Sequence, residues 1–136
     1  MNDPIAFIRS LYQLFNTRSI ENIIVRLDPM VQWANGMEGG YVYGHDGIRS
    51  YWSRQFTLVN PRVEPVRITE EGNKVIVKVR QVVHDLEGNL LVGQMVDHLF
   101  ELEGDKIINF HIGLPNPTPA DSAVNHTFDP GLPPNE

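Results

Sequence analysis

The chain has 136 residues, of which 41% are hydrophobic, and carries a formal charge of -6 at pH 7. This length suits one domain with its own core, and the absence of cysteine excludes disulfides and cysteine-based zinc sites. The eleven lysine and arginine residues form no basic run, which argues against a nucleic-acid partner. No apolar run reaches the roughly 18 residues of a bilayer span. We therefore expect no membrane partner, and an acidic N-terminus without a signal-peptide pattern predicts a cytoplasmic protein.

The first part of the chain is predicted to be helical. Asp3 is a suitable N-cap for a helix over Pro4 to Phe15, in which apolar residues recur at helical spacing. Ser19 is predicted to cap a second, short helix that ends near Leu27, because an Asp-Pro pair follows.

A strand and a third helix are expected next. Met30 to Asn35 has the composition of a short strand, and the glycine-rich segment after it predicts a loop or short hairpin. Asp46 is then predicted to cap a helix from about Gly47 to Leu58.

The strand pattern continues from Arg62 to Leu114, where turn residues at three places predict a four-strand meander. Residues 1–114 are therefore assigned to a single domain. Residues 115–136 are rich in proline and polar residues, and they predict an extended or disordered arm.

The register of the central hairpin can be predicted from a two-residue turn at Glu87-Gly88. This turn places an aliphatic set on one face and pairs residues of opposite charge on the other, which a one-residue slip would break. It also places His98, Gln81 and Gln94 on the face toward the core. The predicted pairs are Val83 with Val92, Gln81 with Gln94, Val79 with Val96, Val77 with His98, Val75 with Phe100, Lys78 with Asp97 and Lys74 with Glu101.

A helical first third, a Trp-bearing strand, the segment "YGHDGIRSYW" and a meander ending "HLFELEGDKIINFHI" together resemble the SnoaL-like and ketosteroid-isomerase-like superfamily. The resemblance covers Pro4 to about Leu114. It implies the cone fold of nuclear transport factor two: an α+β domain whose curved, mixed or antiparallel sheet wraps around N-terminal helices and encloses a central pocket.

The resemblance also locates the functional positions of the superfamily on this chain. The aspartate base of ketosteroid isomerases corresponds to Asn35, and their oxyanion-binding tyrosine corresponds to Leu11. Their protonated aspartate, and the acid of SnoaL-type cyclases, fall at His98. The last-strand aspartate of limonene-type epoxide hydrolases corresponds to Ile112. Steroid isomerisation and epoxide hydrolysis are therefore not supported, since an amide and an alkyl group cannot act as bases.

His98 is the candidate catalytic residue, because an imidazole with an ordinary pKa near about 6.5 can transfer protons at neutral pH. The alternative is a core histidine whose nitrogens are bound by Gln81 or by a backbone carbonyl. No metal site or cofactor is predicted, since His84 and His111 fall on the outer sheet face without ligand spacing.

The candidate substrate-binding residues are aromatic or carry an amide. The aromatic ones would form a wall for a flat or apolar ligand, and the alternative is ordinary core packing. Asn35 could hold a ligand oxygen or shape the following turn. The full set is Trp33, Asn35, Tyr51, Trp52, Gln81 and Phe110.

The outer sheet face is predicted to carry an apolar stripe that a second copy of the chain would cover, so a homodimer is expected. Its residues are Ile76, Val82, Leu91, Met95, Leu99 and Ile107. Two functions stay open: an isomerase, lyase or cyclase acting on an apolar or polyketide-like molecule through His98, or a non-catalytic binding protein with the same pocket.

Overall fold

The computed structural model describes residues 3–113. The predicted arm, residues 115–136, lies outside this range. Three helices precede most of a six-stranded sheet. The helices are α1 (Pro4–Asn16), α2 (Ile20–Ile24) and α3 (Gly44–Leu58), and the strands are β1 (Leu27–Ala34), β2 (Tyr41–Tyr43), β3 (Val59–Glu71), β4 (Lys74–Asp85), β5 (Leu90–Glu103) and β6 (Lys106–Ile112).

The sheet is mixed, curved and open, with the strand order β2-β1-β6-β5-β4-β3. All neighbouring strands are antiparallel except β1 and β6, which are parallel. The helices pack on one face, where Ile8 and Trp52 join sheet residues such as Val77 and Phe100 in one hydrophobic cluster. The predicted α+β fold with a curved sheet around the helices is confirmed.

One of the three helix starts differs from the prediction, and one predicted capping bond is absent. Asp3 does cap α1, because its Oδ1 accepts a hydrogen bond of 3.0 Å from the backbone N of Ala6. Ser19 precedes α2 but makes no capping bond with its side chain. Helix α3 begins at Gly44 rather than Gly47, because Gly44 adopts a positive φ of 72° that turns the chain directly from β2 into the helix.

Strand β1 begins three residues earlier than predicted, because Leu27 and the Asp28-Pro29 pair belong to it. The pairing of β1 with β6 shifts between Leu27 and Gln32. A proline is tolerated at such an irregularity, where its missing N–H is not needed for the ladder. Asp28 instead accepts a hydrogen bond of 2.8 Å from the N of Met30.

The predicted register of β4 and β5 is confirmed for all seven pairs. Lys78 Nζ lies 3.0 Å from Asp97 Oδ1, and Lys74 Nζ lies 3.8 Å from Glu101 Oε2. The turn itself is longer than predicted, since the register shifts between Val83 and His84 and the strands close through Asp85 and Asn89. The three intervening residues end in Gly88, whose φ of 94° suits the left-handed position of such a loop.

The outer sheet face is less apolar than predicted. Ile107 is fully buried in the core, because a register shift between β5 and β6 at Glu101 and Leu102 turns it to the inner face. Leu99 is only 4% exposed within the single chain, whereas Leu91 is 50% exposed and also borders the cavity described below. Dimerisation through this face stays a prediction.

Strand β3 is an edge strand whose backbone is covered in part by side chains from the end of α1. Asn16 Nδ2 donates to the carbonyl of Val63 at 2.7 Å, and the N of Val63 donates to Asn16 Oδ1 at 2.9 Å. Arg18 Nη2 donates to the carbonyl of Pro61 at 2.7 Å. These bonds occupy edge groups that could otherwise pair with another chain.

Replacing Asn16 with alanine is therefore expected to lower the free energy of unfolding by about 1–2 kcal/mol, since both backbone groups of Val63 lose their partner. Urea denaturation followed by circular dichroism measures this change. Gln13→Ala, an exposed substitution on the same helix, serves as the control and is expected to stay within about 0.5 kcal/mol of wild type. Equal stability of the two variants would contradict the proposed edge contact.

Candidate functional site

A cavity of about 350 Å³ lies between the helices and the inner face of the sheet. Its size falls at the lower end of the range of about 300–1,000 Å³ that is typical of small-molecule sites. Most of its lining is apolar, and seven aromatic side chains contribute to the walls: Tyr12, Phe15, Trp33, Tyr51, Trp52, Phe100 and Phe110.

Two tryptophans and a phenylalanine form one aromatic wall. The rings of Trp33 and Phe110 stack with centroids 4.2 Å apart and planes 24° apart. Trp52 meets Trp33 edge-on at 5.2 Å. Residues Trp33 and Phe110 face each other in register across the parallel pair β1 and β6, which explains the stack. The wall is thus a packed set of rings, two of which are positioned by the pairing of β1 with β6 and one by α3.

One polar feature of this cavity is a pair of rings from α1 and β5. Tyr12 Oη lies 2.7 Å from His98 Nδ1, and both residues are buried. Their rings are nearly parallel, with planes 8° apart. His98 also contacts the edge region of Phe110, with centroids 4.8 Å apart. The imidazole is therefore held by one hydrogen bond and by aromatic contacts on the cavity wall.

The hydrogen-bond partners decide which nitrogen of His98 carries the proton. Among residues 3–113, the hydroxyl of Tyr12 has no acceptor other than His98 Nδ1. A phenol O–H is a stronger donor than a neutral imidazole N–H, and an imidazole nitrogen is a stronger acceptor than a phenol oxygen, so the arrangement with the proton on Tyr12 Oη gives the stronger hydrogen bond. Tyr12 therefore donates to Nδ1, and Nε2–H is the ring donor left for a ligand.

Both members of the pair are neutral at physiological pH. Burial lowers the pKa of His98 to about 3, because the low-polarity surroundings disfavour the imidazolium. Burial also raises the pKa of Tyr12 well above its usual value. A second tyrosine of the cavity, Tyr51, has a pKa raised mainly by burial, and its Oη accepts a hydrogen bond of 3.1 Å from the N of Gly36.

The structure brings six of the seven predicted site residues to the same cavity: Trp33, Tyr51, Trp52, Gln81, His98 and Phe110. The seventh, Asn35, lies outside the residues that line it. Asn35 Oδ1 accepts hydrogen bonds from the N of Met37 and Glu38, and Asn35 Nδ2 donates to Glu38 Oε1. Its amide thus shapes the loop after β1, which is the alternative that the sequence left open.

Two polar cavity residues were not predicted from the sequence, Tyr12 and Gln55. Leu11 corresponds to the oxyanion-binding tyrosine of the superfamily, but the contact to His98 comes from the next residue, Tyr12. Leu11 and Tyr12 both line the cavity. Gln55 also lines it and follows Tyr51 by four positions, a spacing that places both on one face of α3. That spacing was the available signal for Gln55, whereas the choice between Leu11 and Tyr12 depends on how α1 is rotated against the sheet.

Among residues 3–113, those that line the cavity include no carboxylate, lysine or arginine. Within residues 3–113, no three metal-ligating side chains lie together. No helix in this range has the length and apolarity needed to cross a membrane. The described cavity therefore offers aromatic surface, amides, hydroxyls and a neutral imidazole.

The SnoaL-like domain model matches residues 8–110, which is most of the chain. The chain belongs to the SnoaL-like domain family. This match spans the helices, the aromatic wall and His98, so the SnoaL-like domain contains the whole cavity apart from its rim at Ile112.

Solved structures with the same fold include an NTF2-like protein of unknown function from Burkholderia pseudomallei (22% identical, 84% of this chain and 92% of that chain, TM-score 0.74). TerC co-crystallised with polyporic acid is 27% identical, over 79% of this chain and 88% of that chain, with a TM-score of 0.71. A putative polyketide cyclase from Sinorhizobium meliloti is 14% identical, over 79% and 93%, with a TM-score of 0.69. No match was found among curated proteins.

Proposed function

We propose that this SnoaL-like protein binds a flat, uncharged and largely apolar small molecule, and that His98 donates a hydrogen bond from Nε2–H to an acceptor oxygen of that molecule. The observation that carries the proposal is the buried contact of 2.7 Å between Tyr12 Oη and His98 Nδ1. This contact fixes a neutral donor on the wall of an aromatic cavity.

The character of the cavity supports an uncharged ligand. A bound carboxylate or ammonium group would lose its hydration without gaining an opposite charge from the lining residues, which is strongly unfavourable. Aromatic rings can stack on the wall formed by Trp33, Trp52 and Phe110. That this fold can be crystallised with a small organic molecule is supported by TerC, which was co-crystallised with polyporic acid and is 27% identical to this chain.

Catalysis by His98 is the second candidate function, as an isomerase, lyase or cyclase with a polyketide-like substrate. It is favoured by the position of the imidazole on the cavity wall, with Nε2 free of bonds to residues 3–113. The lowered pKa of about 3 argues against proton abstraction, because such a base holds a proton weakly at neutral pH. A neutral imidazole can still polarise a carbonyl as a hydrogen-bond donor. Binding is therefore the function that the geometry favours.

The proposal is tested with 4-acetylbiphenyl, an uncharged aromatic ketone, and 4-ethylbiphenyl, which lacks the oxygen. Both tryptophans of the chain lie on the cavity wall, so quenching of tryptophan fluorescence reports binding. The wild-type protein is expected to bind the ketone roughly ten-fold more tightly, as one hydrogen bond allows. The variant Tyr12→Phe/His98→Leu is expected to bind the two compounds equally.

The double variant removes both partners of the hydrogen bond and leaves no unpaired polar atom, so folding should be retained. Gln13→Met, on the exposed face of α1, is the control and should keep the preference for the ketone. Equal binding of both compounds by the wild-type protein would contradict the role of His98, and no binding of either would contradict the proposed function. Conversion of the ketone, followed by chromatography, would instead support catalysis.

A further inference from the structure

Three glutamine side chains inside the fold have no hydrogen-bond partner among residues 3–113, namely Gln55 on α3, Gln81 on β4 and Gln94 on β5. Gln55 and Gln81 line the cavity. Gln94 stands directly opposite Gln81 in the pairing of β4 with β5. Gln55 Oε1 and Gln94 Nε2 are buried without a partner in the described range.

Unpaired amides are unusual in a protein interior. A buried polar group without a hydrogen bond typically destabilises a fold by about 1–3 kcal/mol, and most buried polar atoms are therefore paired. Apolar side chains of similar size would fill the same positions without this loss. Two such atoms, Gln55 Oε1 and Gln94 Nε2, lie close to one cavity beside the half-buried Gln81, and they indicate a role in contacting something that enters it.

The glutamines lie apart from His98 along the sheet. The register places Gln81 at the level of Gln94, and His98 follows Gln94 by four residues on the same strand and face. At about 3.3 Å per residue, this separation is about 13 Å along β5. Gln55 approaches the cavity from the helical layer and Gln81 from the sheet. The cavity therefore has two separate polar regions joined by aromatic surface.

The chemistry of the amides selects the group that would bind there. Each amide offers both N–H donors and a carbonyl acceptor. Among residues 3–113, the cavity lining provides no charge to balance an ionised group. A hydroxyl group both donates and accepts and is uncharged, so it matches the amides of Gln55 and Gln81 better than a carboxylate or an ammonium group does.

We infer that Gln55 and Gln81, with Gln94 behind Gln81, form a second polar subsite that binds a ligand hydroxyl group. The cavity then selects elongated, uncharged aromatic molecules that carry an acceptor oxygen at His98 and a hydroxyl group about two rings away. This inference rests on the proposed function, because it needs a ligand that occupies the same cavity. It adds the substrate class and the residues that distinguish hydroxylated from unsubstituted ligands.

The inference is tested with 4-acetyl-4′-hydroxybiphenyl and 4-acetylbiphenyl, which differ only in the distal hydroxyl group. Tryptophan fluorescence measures the Kd of each compound for the wild-type protein, for Gln81→Met, for Gln55→Met and for the exposed control Gln13→Met. The wild-type protein and the control are expected to bind the hydroxylated compound roughly ten-fold more tightly. Either cavity variant is expected to lose most of this preference, which is read as the ratio of the two Kd values within each variant.

Thermal unfolding of the same variants separates a binding role from a structural one. Methionine matches the length of glutamine and removes the unpaired amide, so the subsite predicts a Tm equal to or above that of wild type. A clear fall in Tm for both cavity variants would overturn the inference in favour of a structural role. Equal binding of the two ketones by the wild-type protein would also overturn it, while the proposed function would stand if 4-acetylbiphenyl binds with the expected dependence on His98.

Discussion

Acidification from pH 8 to pH 5 is expected to lower the free energy of unfolding by about 2 kcal/mol through His98 alone. The folded protein holds the pKa of His98 at about 3, because burial disfavours the charged imidazole. In the unfolded chain the same side chain has its ordinary pKa of about 6.5. Between these values the unfolded state binds more protons than the folded state.

The sign follows from this difference in bound protons. Above a pH of about 6.5 His98 is neutral in both states and has no effect on the pH dependence of stability. As the pH falls below that value, His98 is protonated in the unfolded state but stays neutral in the folded state, so the free energy of unfolding decreases. The loss continues until the folded pKa of about 3 is reached, and it totals about 5 kcal/mol at the end of that window.

Urea denaturation at several pH values, followed by circular dichroism, measures the effect. Other groups titrate in the same range, so the quantity to compare is the difference between wild type and the variant Tyr12→Phe/His98→Leu. This variant is expected to lose about 2 kcal/mol less than wild type between pH 8 and pH 5. His84→Gln, a histidine substitution on the outer sheet face, is the matched control. Parallel pH profiles for wild type and the double variant would show that His98 is not held neutral by burial.

The sheet could be predicted from the sequence because its register depends on nearest neighbours. Lys78 and Asp97, like Lys74 and Glu101, attract each other only in one alignment of β4 with β5. The same alignment keeps the aliphatic residues on one face. Two independent criteria therefore selected the pairing that the structure shows.

The irregular positions could not be predicted in this way. The burial of Ile107 depends on a bulge between β5 and β6, and the early start of β1 depends on a proline at a register shift. Each irregularity shifts the alternation of a strand at one point. The composition of a single strand does not show where such a shift falls, so alternation alone placed Ile107 on the wrong face.

The sequence predicted the aromatic residues of the candidate site but not its hydrogen bonds. Cavity-facing positions such as Trp33 and Phe110 follow from strand alternation and from the family resemblance. The partner of His98 is Tyr12, which is 86 positions away in the chain and was set aside because it lies one position from the expected one. A rotation of α1 by one residue decides which side chain faces the sheet, and packing of the whole helix sets that rotation.

The substitution Trp52→Ala is expected to lower the free energy of unfolding by about 3–5 kcal/mol, a large part of the 5–15 kcal/mol that holds a typical domain folded. Trp52 is 2% exposed, and its ring contacts Trp33 at 5.2 Å and Phe15 at 5.9 Å. Removing the indole enlarges the existing cavity, because Trp52 lines it. The residues around Trp52 then lose packing contacts with the indole, and this loss destabilises the fold. Urea denaturation followed by circular dichroism measures the loss without relying on tryptophan fluorescence.

Tyr43→Ala is the matched control, since it removes an aromatic ring of β2 that is 64% exposed, and it is expected to change stability by no more than about 0.5 kcal/mol. A loss below 1 kcal/mol for Trp52→Ala would contradict the packing of α3 against the aromatic wall.

Trp52→Phe separates the two roles of this side chain, because a smaller ring keeps α3 anchored while it widens the cavity. If the wall contacts ligand, this variant should retain most of the stability and still bind 4-acetylbiphenyl less tightly, as the stacked surface shrinks. The same side chain would then stabilise the helical layer and set the width of the ligand that fits beneath it.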